Sequence, residues 1–165
     1  MNKNINIKNK KAISEISKFR DKQYLPIDIR FENVYLKRIN KLLQVAIFDK
    51  NDLYINSSTL WELMQPIGKT GLHNYHNLSP DDIYHALNSL TDPYCVFRVK
   101  NGRFAIIPVY ISSFKEFLMV VIETNSGLIT NIKANVNKIV TIYPKSNIDD
   151  YLSKIYSKDI LFIKK

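Results

Sequence analysis

Apolar residues recur at helical spacing near the start of this chain and in short alternating runs over its second half. Ala12, Ile13, Ile16 and Phe19 fall on one face of a stretch that ends before Pro26, which predicts a short amphipathic basic helix; the first ten residues are polar and read as loose. From Ile27 to Ile55 the pattern shortens to runs at Ile27–Phe31, Leu42–Phe48 and Leu53–Ile55, so strands with polar turns are expected, a helix staying open over 33 to 43. Asn56–Thr59 offers N-cap side chains to a helix through Leu60, Trp61, Leu63 and Met64 that stops near Pro66 and Gly68. Ser79-Pro80-Asp81-Asp82 opens the next helix with a capping serine, a proline at the first helical position and two acids at the positive end of the dipole. That helix runs to about Leu90, and Thr91-Asp92-Pro93 ends it.

The remainder predicts strands. Tyr94–Lys100 and Arg103–Ile107 flank Asn101-Gly102, a pair suited to the positive φ of a tight hairpin turn. Pro108 lacks a ladder donor and assigns the second of these strands to an edge or bulge. Phe117–Thr124, Leu128–Lys133 and Val136–Tyr143 follow as strands, with Asn125-Ser126-Gly127 as a turn after the first. A last helix starts at Asn147–Asp150 and carries Tyr151, Leu152 and Ile155, and Ile160–Ile163 closes as a strand. Helices followed by a small antiparallel β-sheet make the expected class α+β, with residues 1–52 as a basic N-terminal extension or subdomain and 53–165 as the main domain.

Composition narrows the class. At 165 residues with 45% hydrophobic and 12% aromatic content, one hydrophobic core is expected rather than disorder. The longest aliphatic or aromatic run, Phe117–Ile122, is far too short to cross a bilayer, so no membrane partner is expected. Cys95 is the sole cysteine, which excludes an intramolecular disulfide and a cysteine-based zinc site. Met1–Lys8 lacks the apolar segment of a secretory signal, and a cytoplasmic setting is expected.

A net charge of +9 favours a polyanionic partner, nucleic acid first. The charge is uneven: residues 1–50 carry twelve Lys and Arg against five Asp and Glu, residues 51–100 three against five, and residues 101–165 nine against five. All three histidines, His73, His76 and His85, lie in the slightly acidic middle segment. Cationic help for phosphate chemistry there must come from elsewhere in the fold.

Metal-independent RNA cleavage needs a base for the ribose 2′-hydroxyl, an acid for the leaving 5′-oxygen and fixed positive charge on the phosphorane. His73 and His76, in the run Lys69-Thr70-Gly71-Leu72-His73-Asn74-Tyr75-His76, can supply the first two. Surface or packing histidines are the plain alternative. A metal site would need Asp81, Asp82 or His85 as further ligands, and with no zincin or cysteine-pair pattern neither a metal nor another cofactor is expected. His85, beside Ile83 and Leu87, reads as an ordinary helix histidine. Thr141 and Tyr143 alternate with Val140 and Ile142, so one strand face presents a hydroxyl and a phenol while the other enters the core. Lys69, Arg98, Lys100, Arg103, Lys133, Tyr143 and Lys145 are the candidates for holding substrate. Glu123, in an apolar strand, is either a base or a strand-end carboxylate paired with a lysine.

Five features carry a resemblance over Leu53–Lys165: Leu53–Thr59 ahead of a helix, the Gly71–His76 run, the Ser79–Asp82 helix ending at Asp92-Pro93, the hairpin with the strand after it, and Ile139–Tyr143 followed by a short helix and Leu161–Ile163. In this order the region resembles the phage-associated ribonuclease-like families related to barnase, EndoU, colicin tRNases and RelE. The resemblance implies two helices leading into a four-stranded antiparallel sheet and metal-independent endoribonuclease activity leaving a 2′,3′-cyclic phosphate. It also implies a phage or toxin context, in which the host cytosol would be the site of action. By position His73 or His76 matches the helix-side histidine and Thr141 the late-strand hydroxyl. RNA, tRNA among the candidates, and a cognate inhibitor protein are the implied partners. A non-catalytic basic module that binds nucleic acid or protein on the same fold is the alternative.

Overall fold

The computed structural model describes residues 3–30, 32–38, 52–66, 75–128 and 131–164. The strand predicted at Leu42–Phe48 lies outside them, as do Lys69 and His73. Helix α1 (Lys3–Ser17) includes most of the stretch that reads as loose, and Asn9 there is buried, its Nδ2–H donating to the Leu36 carbonyl at 3.5 Å. Tertiary packing overrides the weak local signal: Ile13 and Ile16 are buried in the core. Ile27–Arg30 forms a helical turn, α2, where a strand was expected. Pro26 enters it with φ already suited to a helix, and the Ile29 N–H donates to the Pro26 carbonyl at 3.1 Å. Strand β1 (Asn33–Arg38) occupies the region left open to a helix, and β2 (Asp52–Asn56) forms as expected.

Asn56 caps α3 (Ser57–Met64) by accepting from the Ser58 N–H, and Ser79 caps α4 (Pro80–Asn88) by accepting from the Asp82 N–H at 3.0 Å. Strands β3 (Pro93–Arg98), β4 (Phe104–Pro108), β5 (Phe117–Leu128) and β6 (Asn131–Lys145) follow, then α5 (Ile148–Ser153) and β7 (Ile160–Ile163). Among the described residues the strands make one sheet in the order β1-β2-β6-β5-β4-β3-β7. All neighbours are antiparallel except β2 and β6, which run parallel. The molecule is thus α+β, with part of its sheet built from the N-terminal third.

The hairpin turn has Asn101 at φ 64° and Gly102 at φ 67°, the positive values that its residue types accommodate. Of the two places expected for Pro108, an edge or a bulge, the structure gives the second: it lies opposite Pro93, where the β3–β4 register shifts before Cys95 and Ile107. It is the last residue of an interior strand, and β5 pairs with β4 only over Phe104–Ile106, so its missing donor breaks no ladder bond to β5. Asn125-Ser126-Gly127 is not a turn either: β5 runs through it, and the register shifts between Glu123 and Ser126 and again before Leu128. Bulges absorb what the composition suggested was a reversal, and one long strand, β6, replaces the two expected partners.

The sheet separates two apolar clusters. On one face Leu53, Ile55, Leu118, Val120, Ile122, Ile139 and Ile142 pack with residues of α1, α3 and α4, and with Leu25 and Leu36. The expected division at residue 52 is therefore crossed by both the core and the β1–β2 pairing. On the other face Cys95, Phe97, Ala105, Ile107, Met119 and Val121 pack with Ile148 and Leu152 of α5. Opposite Val121 and Ile122, β6 offers Thr141 and Ile139, so Val140 is one residue in excess. Val140 packs with Tyr143 on the α5 side and not with Ile142, against the simple alternation. No helix among the described residues is long and apolar enough to cross a membrane.

Candidate functional site

His76 sits in a segment pinned on both sides. Tyr75 is buried with its ring edge-on to Trp61, 6.1 Å between centroids, and the Trp61 indole N–H donates to the Phe19 carbonyl at 2.9 Å. The Asn77 and Leu78 N–H groups donate to the carbonyls of Gln65 and Leu63 at 2.8 and 2.9 Å, and Leu78 is buried in the helical core. Asn77 takes a left-handed φ of 53°, which asparagine tolerates, and its Oδ1 accepts from Arg20 Nη2 at 2.5 Å. A helix end, a loop from α1 and two buried side chains thus fix the backbone that carries His76.

From this frame the imidazole reaches β6. Its Nε2 lies 3.2 Å from Thr141 Oγ1, and its ring centre lies 5.7 Å from that of Tyr143, tilted by 39°. The approach is open because β2 pairs with β6 only over Asn137–Ile139 before turning into α3. Burial holds the His76 imidazole below its ordinary value of 6.5, so it is uncharged at neutral pH and can accept a proton. Burial, with the neighbouring Tyr151, pushes the Tyr143 phenol up to about 12, so it stays protonated. That O–H donates to Met119 Sδ at 3.7 Å, a weak acceptor that an incoming oxygen would displace.

Thr141 and Tyr143 also line a cleft of about 690 Å³ on the α5 side of the sheet. Arg98, Lys100, Asn101 and Arg103 come to it from the β3–β4 turn, and Tyr151, Ile155, Tyr156 and Asp159 from the chain between α5 and β7. Arg98 and Lys100 are exposed. Arg103, expected to hold substrate, is engaged by Glu123, its Nη2 and Nε donating to Oε2 at 3.0 and 3.2 Å. The Lys145 ammonium lies 3.8 Å from the centre of the Tyr151 ring. Lys133 is in β6, its backbone about 26 Å along the strand from Thr141.

The structure therefore sets His76 against Thr141 and Tyr143, puts those two in one cleft with Arg98 and Lys100, and keeps the backbone of Lys133 well along the strand from them. Sequence reasoning missed the cleft wall at Tyr156 and Asp159. The available signal was Ile160–Ile163, a strand in need of a partner: it pairs with β3, Val96 opposite Phe162, and so draws the preceding residues to the hairpin turn. Arg20 and Asn77, which position the histidine segment, left no pattern to find.

The other metal-ligand candidates do different work. Asp82 is buried and accepts from Ser79 Oγ at 2.9 Å, Tyr110 Oη at 2.9 Å and the Ser113 N–H at 2.8 Å. Burial alone would raise its carboxyl, but bonds from Ser113, Tyr110 and Ser79 outweigh that and hold it below the usual range. His85 is exposed and stacks on Tyr110 at 5.4 Å. Among the described residues no cluster of three or more His, Cys, Asp or Glu could hold a metal ion. Comparison with family models, with curated proteins and with solved structures finds no match for this chain.

Proposed function

We propose that this protein is a metal-independent endoribonuclease related to the barnase, EndoU, colicin tRNase and RelE group, with His76 as its base. The observation that carries the reading is the His76–Thr141 contact at the rim of a cleft edged by Arg98 and Lys100. Uncharged His76 takes the proton of a ribose 2′-hydroxyl, the 2′-oxygen attacks the adjacent phosphorus, and the bond to the 5′-oxygen breaks. That leaving oxygen takes a proton from an acid, for which His73 and the Tyr143 phenol are the candidates. The products are a 2′,3′-cyclic phosphate end and a 5′-hydroxyl end. Thr141 and the cleft cations bear on the phosphoryl oxygens, where negative charge grows in the transition state.

Chain order supports the reading as well. Helices α3 and α4 lead into the successive antiparallel strands β3 to β6, the arrangement that the resemblance implies, while β1, β2 and β7 extend its edges. RNA, with tRNA as a candidate, is the substrate class, the host cytosol the setting in a phage or toxin context, and a cognate inhibitor the protein partner. The test is incubation of purified protein with tRNA and total RNA in EDTA, scoring 2′,3′-cyclic phosphate ends. Cleavage lost in His76→Ala supports the proposal. RNA binding without cleavage by the wild-type protein at any salt or pH overturns it in favour of a non-catalytic basic module.

A further inference from the structure

We infer that the cleft beside His76 seats one nucleotide of a single-stranded RNA, its base against Tyr156 and its phosphate against Arg98 and Lys100. The inference rests on the ribonuclease reading and adds the substrate class: unpaired RNA in preference to duplex. Three observations carry it. Tyr156 lines the cleft yet is 75% exposed, with the Lys158 ammonium 5.6 Å from its ring centre and the exposed Arg98 and Lys100 lining the same cleft. Tyr151, the other tyrosine on that wall, is already occupied, with Lys145 over its ring at 3.8 Å and Phe97 at 5.9 Å. Ile160 pairs with Phe97, so the chain that carries Tyr156 and Asp159 reaches the cleft beside Arg98, and the exposed ring and the exposed cations meet there.

The sugar–phosphate backbone follows the hairpin turn, and the base points toward residues 155–159, where a carboxylate can accept from base N–H groups. Stacking on a protein ring requires a base free of its helical neighbours, which duplex RNA does not offer. Thr141 belongs to both the cleft and the His76 contact, so the seated nucleotide adjoins the phosphate to be cleaved.

The test is fluorescence anisotropy in EDTA with a labelled 2′-O-methyl RNA oligonucleotide, which lacks the nucleophile and cannot be cut. It is titrated as a single strand and annealed to its complement. The single strand is expected to bind more tightly, and Tyr156→Ala to weaken it about five- to 150-fold, the range for loss of one base–aromatic stack. Tyr156→Phe is expected to keep the affinity, and Tyr24→Ala, at an exposed tyrosine outside the cleft, to change nothing. Arg98→Ala is expected to flatten the dependence of log affinity on log salt by about 0.7. Equal binding of single strand and duplex, or a Tyr156→Ala variant that binds like Tyr24→Ala, overturns the inference. Because the probe is not cleaved, that failure is distinguishable from a failure of the cleavage assay.

Discussion

Two polar clusters bearing a histidine flank helix α4, and they differ in how fully their hydrogen bonds are used. At its N-terminus Asp82 accepts from Ser79, Tyr110 and Ser113 and ties the 109–113 loop to the helix, with His85 stacked outside on Tyr110. Just before the helix, and among the described residues, His76 has one side-chain hydrogen-bond contact, to Thr141, and Tyr143 donates to a thioether. In the first cluster the carboxylate is buried and its oxygens are taken up by these bonds, so its polarity serves the fold. The second keeps acceptor and donor capacity beside a cleft, at a cost in stability that packing elsewhere offsets. The lesson is that a perturbed group points to chemistry only where its bonding capacity is left open.

Substitutions should separate the two clusters in opposite senses. His76→Ala is expected to lower RNA cleavage on the order of 10²- to 10⁴-fold, the usual contribution of a positioned base, with the thermal midpoint little changed; an unaltered rate would place His76 with the structural cluster. Asp82→Ala is expected to do the reverse. It leaves the Tyr110 hydroxyl and the Ser113 N–H without their acceptor and should cost about 2–4 kcal/mol in denaturant unfolding, while the folded fraction still binds RNA.

Acid should divide them next. Both groups are held low, so for each the unfolded chain binds more protons and stability falls as pH drops. For His76 the loss starts below its ordinary 6.5 and ends at its lower folded value, and cleavage should fall in step as the base becomes protonated. For Asp82 the loss starts only below 3.8. A pH–rate profile whose acid limb has its midpoint above 6.5 would contradict a depressed His76. The smallest effect is expected from Thr141→Val, which removes the hydroxyl but keeps the shape: a loss of up to about tenfold in cleavage, restored by Thr141→Ser. If valine and threonine cleave alike, the contact is incidental.

Much of this was legible locally. The caps at Asn56 and Ser79 and the Asn101-Gly102 turn are decided by a few neighbouring residues, and period-two alternation placed Thr141 and Tyr143 on one face. What needed distant chain was not legible. His76 and Thr141 are 65 residues apart, and no local rule selects that pairing. Ile27–Arg30 has strand-like composition yet turns as a helix after Pro26, and Asn125-Ser126-Gly127 disappears into bulges because the long β5–β6 pairing outweighs its turn preference. Arg103 looked like a free cation until Glu123, on β5, proved to face it.

Val140 has a wider meaning than its one unpaired position. Before it, the odd-numbered Ile139 belongs to the helical core; after it, the even-numbered Ile142 does, and the odd-numbered Thr141 and Tyr143 turn to the cleft. One residue thus inverts the parity of β6 halfway along, letting a single strand serve packing first and chemistry afterwards. Taken into the ladder opposite Val121 instead of bulging, Val140 would turn Thr141 and Tyr143 to the helical face, out of phase with the cleft, so the reading frame of the pleat is itself part of the site.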